Sequence, residues 1–315
     1  MHLTGKLVYM DGGGKDGVFL MNIQVLDLIT GEISIIFRSP EDAYIYGLTV
    51  SPDGRQLVMS YTPSITQRVT ENPALYIMPL DGSAAPTLLF TPPTVDDEYF
   101  QPIWSPDGKM IYFCHIHYQH PVKNGQQPQG IELYRLSISD GSIKQVAENA
   151  FWPNLSSDSA HLVYVSTDRT NGTNKLILSN ADGTNPQPVS MTGKAVPIYI
   201  DAPLFSADGR SILFSGVSLN QQASAPTWLE SLSGVTVASA HSIPSDWWSV
   251  PVGGGAAKQL THIQTTNLFG SVSPDGKYIA SYSGLGLFVM EPDATNAKMI
   301  INNLAGVPST VHWIP

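Results

Sequence analysis

Apolar residues in this chain come in short stretches, separated by polar breaks that carry Gly, Pro, Asp or Ser. Ile45 to Val50, Leu57-Val58-Met59 and Met110-Ile111-Tyr112-Phe113 are examples. Short apolar runs bounded by turn formers predict strands. A helical stripe is visible at one place only. Trp228, Leu229 and Leu232 share a face, and Thr227 with Glu230 three residues on makes a capping box.

The breaks repeat. Val50-Ser51-Pro52-Asp53-Gly54-Arg55 returns as Trp104-Ser105-Pro106-Asp107-Gly108-Lys109, as Phe205-Ser206-Ala207-Asp208-Gly209-Arg210 and as Val272-Ser273-Pro274-Asp275-Gly276-Lys277. Leu155-Ser156-Ser157-Asp158-Ser159 is a looser copy, and Trp313-Ile314-Pro315 a degenerate sixth. Pro presets φ, Asp caps the turn and Gly takes the left-handed position, so each copy is a hairpin between a first and a second strand. Two more strands follow in each unit. In the second unit they are Ile131 to Ile138 and Ile143 to Val146, joined at Asp140-Gly141. Four strands in a unit of about fifty residues is the signature of a propeller blade.

Counted between Ser51, Ser105, Ser156, Ser206, Ser273 and Ile314, the spacings are 54, 51, 50, 67 and 41 residues. From Ile314 through the C-terminus and on from Met1 to Ser51 is 52 residues, one more repeat. The fold predicted is all-β, one six-bladed β-propeller of four-stranded antiparallel blades over residues 1–315. Its last blade takes one C-terminal strand, within Ser309 to Ile314, and three N-terminal strands: Lys6 to Met10, Val18 to Leu28 and Ile33 to Phe37. Sharing a blade between the termini closes the ring and hides sheet edges.

The Ser-Pro-Asp-Gly-Arg/Lys hairpins, each with an aromatic or aliphatic residue before the Ser, resemble the WD40-like (PD40) repeat of the TolB-like six-bladed propellers. The resemblance spans essentially the whole chain. It is specific for fold and poor for function. It implies one of several roles: a periplasmic protein-binding propeller, the propeller part of a prolyl-oligopeptidase-like peptidase, or a metal-dependent sugar lyase. The peptidase role needs a hydrolase domain with a Gly-x-Ser-x-Gly elbow, and this sequence has no such pentapeptide.

Departures from the repeat are where function is sought. The 67-residue unit carries an insertion, residues 216–246, between its second and third strands. The helical stripe at Trp228 lies in it. That helix is expected to cover a blade or to dock a partner. A second long loop, Ile116 to Gly130, follows His115 and contains His117 and His120. His115 and His117, two apart on a strand, share a face. The loop entering the same blade holds Asp96, Asp97 and Glu98. These six residues together would suit zinc, manganese or calcium; a solvated polar loop is the plainer reading. Cys114 points away from His115, so it reads as a buried strand cysteine rather than a nucleophile. The hairpin carboxylates Asp53, Asp107, Asp208 and Asp275 read as turn caps. Asp168 to Asn174 has too few carboxylates for a calcium loop. The Gly-rich Asp11 to Gly17 joins two strands and is no phosphate loop.

Composition narrows the partners. Net charge is −10, and charged residues are only 13% of the chain. That argues against nucleic acid and anionic membranes. No apolar run reaches the length of a membrane span. The upper-rim loops carry an acidic excess, with aromatic residues Tyr46, Phe100, Trp152, Tyr199 and Phe269 where chains enter the inner strands. A single cysteine fits either compartment; sparse charge, abundant Ser and Thr and a Met1 almost on the first predicted strand favour a periplasmic or extracellular protein with a leader or anchor ahead of Met1, the cytoplasm being the alternative.

The expectation is a non-enzymatic, monomeric scaffold that presents rim loops to a protein or peptide and needs no cofactor. Trp152, Asp201, Trp228, His241 and Trp247 are its candidate contact residues. The alternative is a metal-dependent carbohydrate-active enzyme using the His115–His120 loop.

Overall fold

The structure is a computed structural model; it describes every residue except 16–17, 68–71, 91, 95–96, 118–129, 169–172, 194–195, 218–243, 303 and 305–309. Each short apolar stretch forms a strand, and the strands assemble into six four-stranded antiparallel sheets. The chain opens with β1 (Lys6–Lys15), β2 (Val18–Asp27) and β3 (Ile33–Arg38). Blade 1 is β4 (Tyr44–Val50), β5 (Gln56–Thr62), β6 (Ala74–Pro79) and β7 (Thr87–Leu88). Blade 2 is β8 (Glu98–Trp104), β9 (Met110–His117), β10 (Gly130–Ser137) and β11 (Ile143–Glu148). Blade 3 is β12 (Ala150–Leu155), β13 (His161–Asp168), β14 (Thr173–Asn180) and β15 (Gln187–Pro188). A short parallel pair, β16 (Met191–Thr192) with β20 (Gly255–Ala256), flanks blade 4. Blade 4 itself is β17 (Tyr199–Phe205), β18 (Ser211–Val217), β19 (Asp246–Pro251) and β21 (Lys258–Gln259). Blade 5 is β22 (Phe269–Val272), β23 (Ile279–Ser283), β24 (Gly286–Met290) and β25 (Lys298–Asn302). The last strand, β26 (Val311–Ile314), pairs with β1 and completes blade 6 in the order β26-β1-β2-β3.

The ring therefore closes between its termini as the repeat count requires. β1 runs longer than its apolar core. It continues through Asp11-Gly12-Gly13-Gly14 to Lys15, paired with Val18. The 67-residue unit departs where expected, between β18 and β19. The expected helix, with Trp228, lies outside the described residues.

The hairpins show why Ser and Asp recur. In blades 1 to 5 the Ser hydroxyl donates to the Asp carboxylate, at 2.6–2.7 Å. The same Asp oxygen accepts the N–H two residues on. The Ser oxygen accepts the N–H five residues on, at 2.9 Å in each case. These bonds hold the Asp carboxyls below the usual carboxylate range, the Ser hydroxyl contributing most. The fourth residue sits at φ 66–73° in Gly54, Gly108, Gly209 and Gly276, and Ser159 takes that place at 59°.

Blade faces pack against each other through apolar clusters. Polar bonds also cross every junction. Ser60 donates to Tyr99 O, Tyr112 to Ala181 O, Trp247 Nε1 to Ser281, and Tyr282 to Met10 O. Asn154 Oδ1 receives the Phe205 N–H, and Thr310 Oγ1 exchanges two bonds with the backbone of Leu48. Fixing the sheets in this way positions the loops above them.

Candidate functional site

The six inner strands surround an axial cavity of about 410 Å³, lined by residues from every blade. Within it the strands carry a repeated irregularity. Pairing of β8, β12 and β17 with the next strand shifts register just before a proline, Pro102, Pro153 and Pro203. A proline lacks the ladder N–H, so the strand bulges there. The residues before these prolines, Gln101, Trp152 and Ala202, have φ of 52°, 57° and 45°. In blade 1 the shift comes slightly earlier, skipping Tyr46 just before Gly47. A tryptophan is held against its preference at such a φ, and residues so strained cluster at ligand sites. Trp152 lines the cavity and meets Phe269, two blades away, with ring centroids 5.2 Å apart.

Bonds between blades set this inner wall. Gln101 Oε1 accepts the Trp152 N–H at 2.7 Å. In alternate blades one position caps the next blade: Thr49 receives the Trp104 N–H, Asn154 that of Phe205 and Ser271 that of Trp313. Ile103, Leu204 and His312 occupy that position in the blades between. His312 Nε2 lies 2.9 Å from Leu48 O. A carbonyl only accepts, so Nε2 carries the hydrogen. Burial pushes this imidazole down to about 4, so it is neutral at pH 7.

Of the expected contact residues that the structure describes, Trp152 alone lines the cavity. Asp201 and Trp247 are fully buried and present no surface. The Trp247 backbone N–H donates to Thr261 and its indole to Ser281, so the side chain is a wedge between blades 4 and 5. Trp228 and His241 lie outside the described residues. Asp246 is also buried; its Oδ1 gathers the Thr261 hydroxyl and the N–H groups of Ile263 and Gln264. Asp97, Asp201 and Asp246 are buried, so they add nothing to the acidic excess of the upper-rim loops. Among the aromatic residues expected there, Trp152 and Phe269 line the cavity, while Tyr46 and Phe100 pack edge to face at 5.4 Å.

The six residues expected to gather around a metal separate in the structure. His115 and His117 share one face of β9. His115 Nε2 lies 2.8 Å from Asp97 Oδ1. The other Asp97 oxygen accepts the Thr94 N–H. Glu98 pairs with Ile116 and so lies on the opposite face, away from the histidines. His120 and Asp96 lie outside the described residues. Sequence reasoning missed Glu132, the one acid of β10. It sits directly opposite His115 and places Oε2 3.0 Å from His117 Nδ1. Its signal was present, an acid in an otherwise half-apolar strand, but only the strand register assigns it to this face.

Cys114 is buried, as expected. It donates to Gln101 Oε1, and burial pushes its thiol up to about 12. Among the described residues no helix is long and apolar enough to cross a membrane.

No family model matches the chain, and no curated protein matches it. Solved structures do. TolB from Acinetobacter baumannii superimposes with a TM-score of 0.65 at 17% identity, over 99% of this chain and 67% of that one. A putative TolB from Agrobacterium tumefaciens gives 0.63 at 16% identity and covers both chains fully. An oligogalacturonate lyase in complex with manganese gives 0.56 at 12% identity, over 96% of this chain and 86% of that one. Likeness at such identity establishes a shared six-bladed propeller fold and carries no ligand with it.

Proposed function

We propose that this propeller is a non-enzymatic binding scaffold that receives a protein or peptide segment at the axial cavity, on the rim that bears Trp152. One observation carries the reading: a tryptophan strained at φ 57° is fixed over a cavity built from all six blades. A volume of about 410 Å³ falls within the range of small-ligand clefts and would take the tip of an extended segment. Side chains already fixed by neighbouring blades lose little entropy on binding. The resemblance to TolB proteins in fold agrees with a scaffold role. A periplasmic or extracellular location and a monomeric state belong to the same reading. The lone thiol is buried, so an oxidising compartment has nothing to cross-link.

The test is partner capture by the immobilised full chain from extracytoplasmic extract, compared with a Trp152→Ala variant. A species retained by the native chain and lost from the variant supports the reading. Equal retention contradicts it.

A metal-dependent carbohydrate-active enzyme is the second reading. What favours it is the carboxylate set beside His115 and His117, together with a lyase of the same fold in complex with manganese. Release of unsaturated fragments from pectic oligosaccharides in the presence of manganese would establish it over the scaffold.

A further inference from the structure

We infer that His115, His117 and Glu132 form a divalent-metal site of the two-histidine, one-carboxylate kind, with zinc the best match. The site stands apart from the axial cavity, whose lining includes none of the three. It stands whichever functional reading holds.

The geometry begins in strand register. β9 places His115 and His117 on one face because they are two apart. β10 places Glu132 directly opposite His115, on the same face. One donor atom from each of the three lies within 4.8 Å of the others. His117 Nδ1 and Glu132 Oε2 are 3.0 Å apart. Two ligands of a tetrahedral zinc, each at about 2.0–2.1 Å, stand roughly 3.3 Å from one another. The pair thus needs a shift of only a few tenths of an ångström to share an ion.

Three further features fit a metal better than two unrelated polar pairs. First, His115 already has the outer partner that a ligating histidine requires. Its Nε2 bonds Asp97, which leaves Nδ1 to bind the ion, and Asp97 is itself held by the Thr94 N–H. Second, room has been made for the carboxylate. Gly130 faces His117 across the ladder, and a Cβ there would collide with both the Glu132 carboxylate and the His117 ring. Third, the ligands are backed by aromatic rings and keep partial exposure. The His115 ring rests against Tyr99 at 5.1 Å and Tyr134 at 5.4 Å. The His115, His117 and Glu132 side chains keep 14%, 31% and 15% exposure. Three ligands among the described residues leave the fourth position of a tetrahedral ion for water or substrate. Two imidazoles and one carboxylate favour zinc over calcium, which takes six to eight oxygens.

The experiment uses the untagged full chain, stripped with chelator and titrated with Zn²⁺ by calorimetry, then loaded with Co²⁺ for absorption spectroscopy. The expected result is one ion per chain. His117→Ala and Glu132→Gln should each weaken binding at least tenfold. Asp97→Asn, which disturbs only the orientation of His115, should weaken it about 10- to 100-fold with stoichiometry kept. His161→Ala, an exposed histidine elsewhere, should bind like the native chain. Circular dichroism establishes that each variant is folded. Absence of saturable Zn²⁺ binding would overturn the site, as would native affinity in both His117→Ala and Glu132→Gln.

Discussion

The side-chain oxygen of Gln101 in blade 2 accepts the backbone N–H of Trp152 in blade 3, at 2.7 Å. The same oxygen receives the Cys114 thiol at 3.1 Å. Gln101 is itself at positive φ, so one bulged residue fixes the next around the axis. Replacing it with Leu would leave the Trp152 N–H without that acceptor. The expected loss is about 1–3 kcal/mol in urea-induced unfolding. A Gln101→Leu variant as stable as the native protein would show that the bond does not hold the inner wall.

Cys114, on β9 behind that wall, donates to the same Gln101 oxygen, and burial pushes its thiol up to about 12. The thiolate is the reactive form, so native protein at pH 8 should react with a maleimide orders of magnitude more slowly than an exposed cysteine. In denaturant it should label fully. Rapid labelling of the folded chain would show that this strand opens.

His312 gives the ring a dependence on pH. Its imidazole is held at about 4 in the fold, against an ordinary value near 6.5. Between these values the unfolded chain binds more protons than the folded one, so stability is full above about 6.5 and falls as pH drops toward 4. The ring is half-buried where it lines the axial cavity, which reduces the effect; about 1–3 kcal/mol is expected between pH 7 and 4.5. His312→Gln keeps a donor toward Leu48 O and cannot titrate. Its loss of stability over that range should be smaller than the native protein's by this amount. Identical slopes would sink the assignment.

Closure rests on β26. Trp313 is buried, stacks on Tyr278 and donates from Nε1 to Thr4 O. Trp313→Ala should cost about 3–5 kcal/mol in thermal or urea unfolding, with the whole ring unfolding in one step. A variant that loses blade 6 alone, seen as two transitions, would mean that the blades are not mutually dependent.

The ring was legible because each hairpin obeys local rules. The Ser–Asp bond, the left-handed fourth residue and the fifty-residue period all lie within a few residues of one another. What was not legible depends on distant register. Asp201 and Trp247 look like rim residues because they flank loops, yet blade packing buries them. Glu132 is invisible as a partner of His115 until β10 is laid against β9. Glu98 follows Asp97 directly, and strand alternation sends it to the other face. Trp152 was legible as an aromatic at a strand start. Its positive φ was not, because the bulge comes from a proline inside a ladder and from the Gln101 bond across a junction.

The central claim is that the Trp152 rim of the axial cavity is where a partner binds. Site-specific photo-cross-linking in the producing cells tests it most directly. One variant carries the photoreactive residue at position 152, another at Lys144, an exposed residue on β11, the outermost strand of blade 2. The account predicts a defined cross-linked protein or peptide adduct from position 152 and none from 144. Adducts from 144 alone, or from neither position, would contradict it.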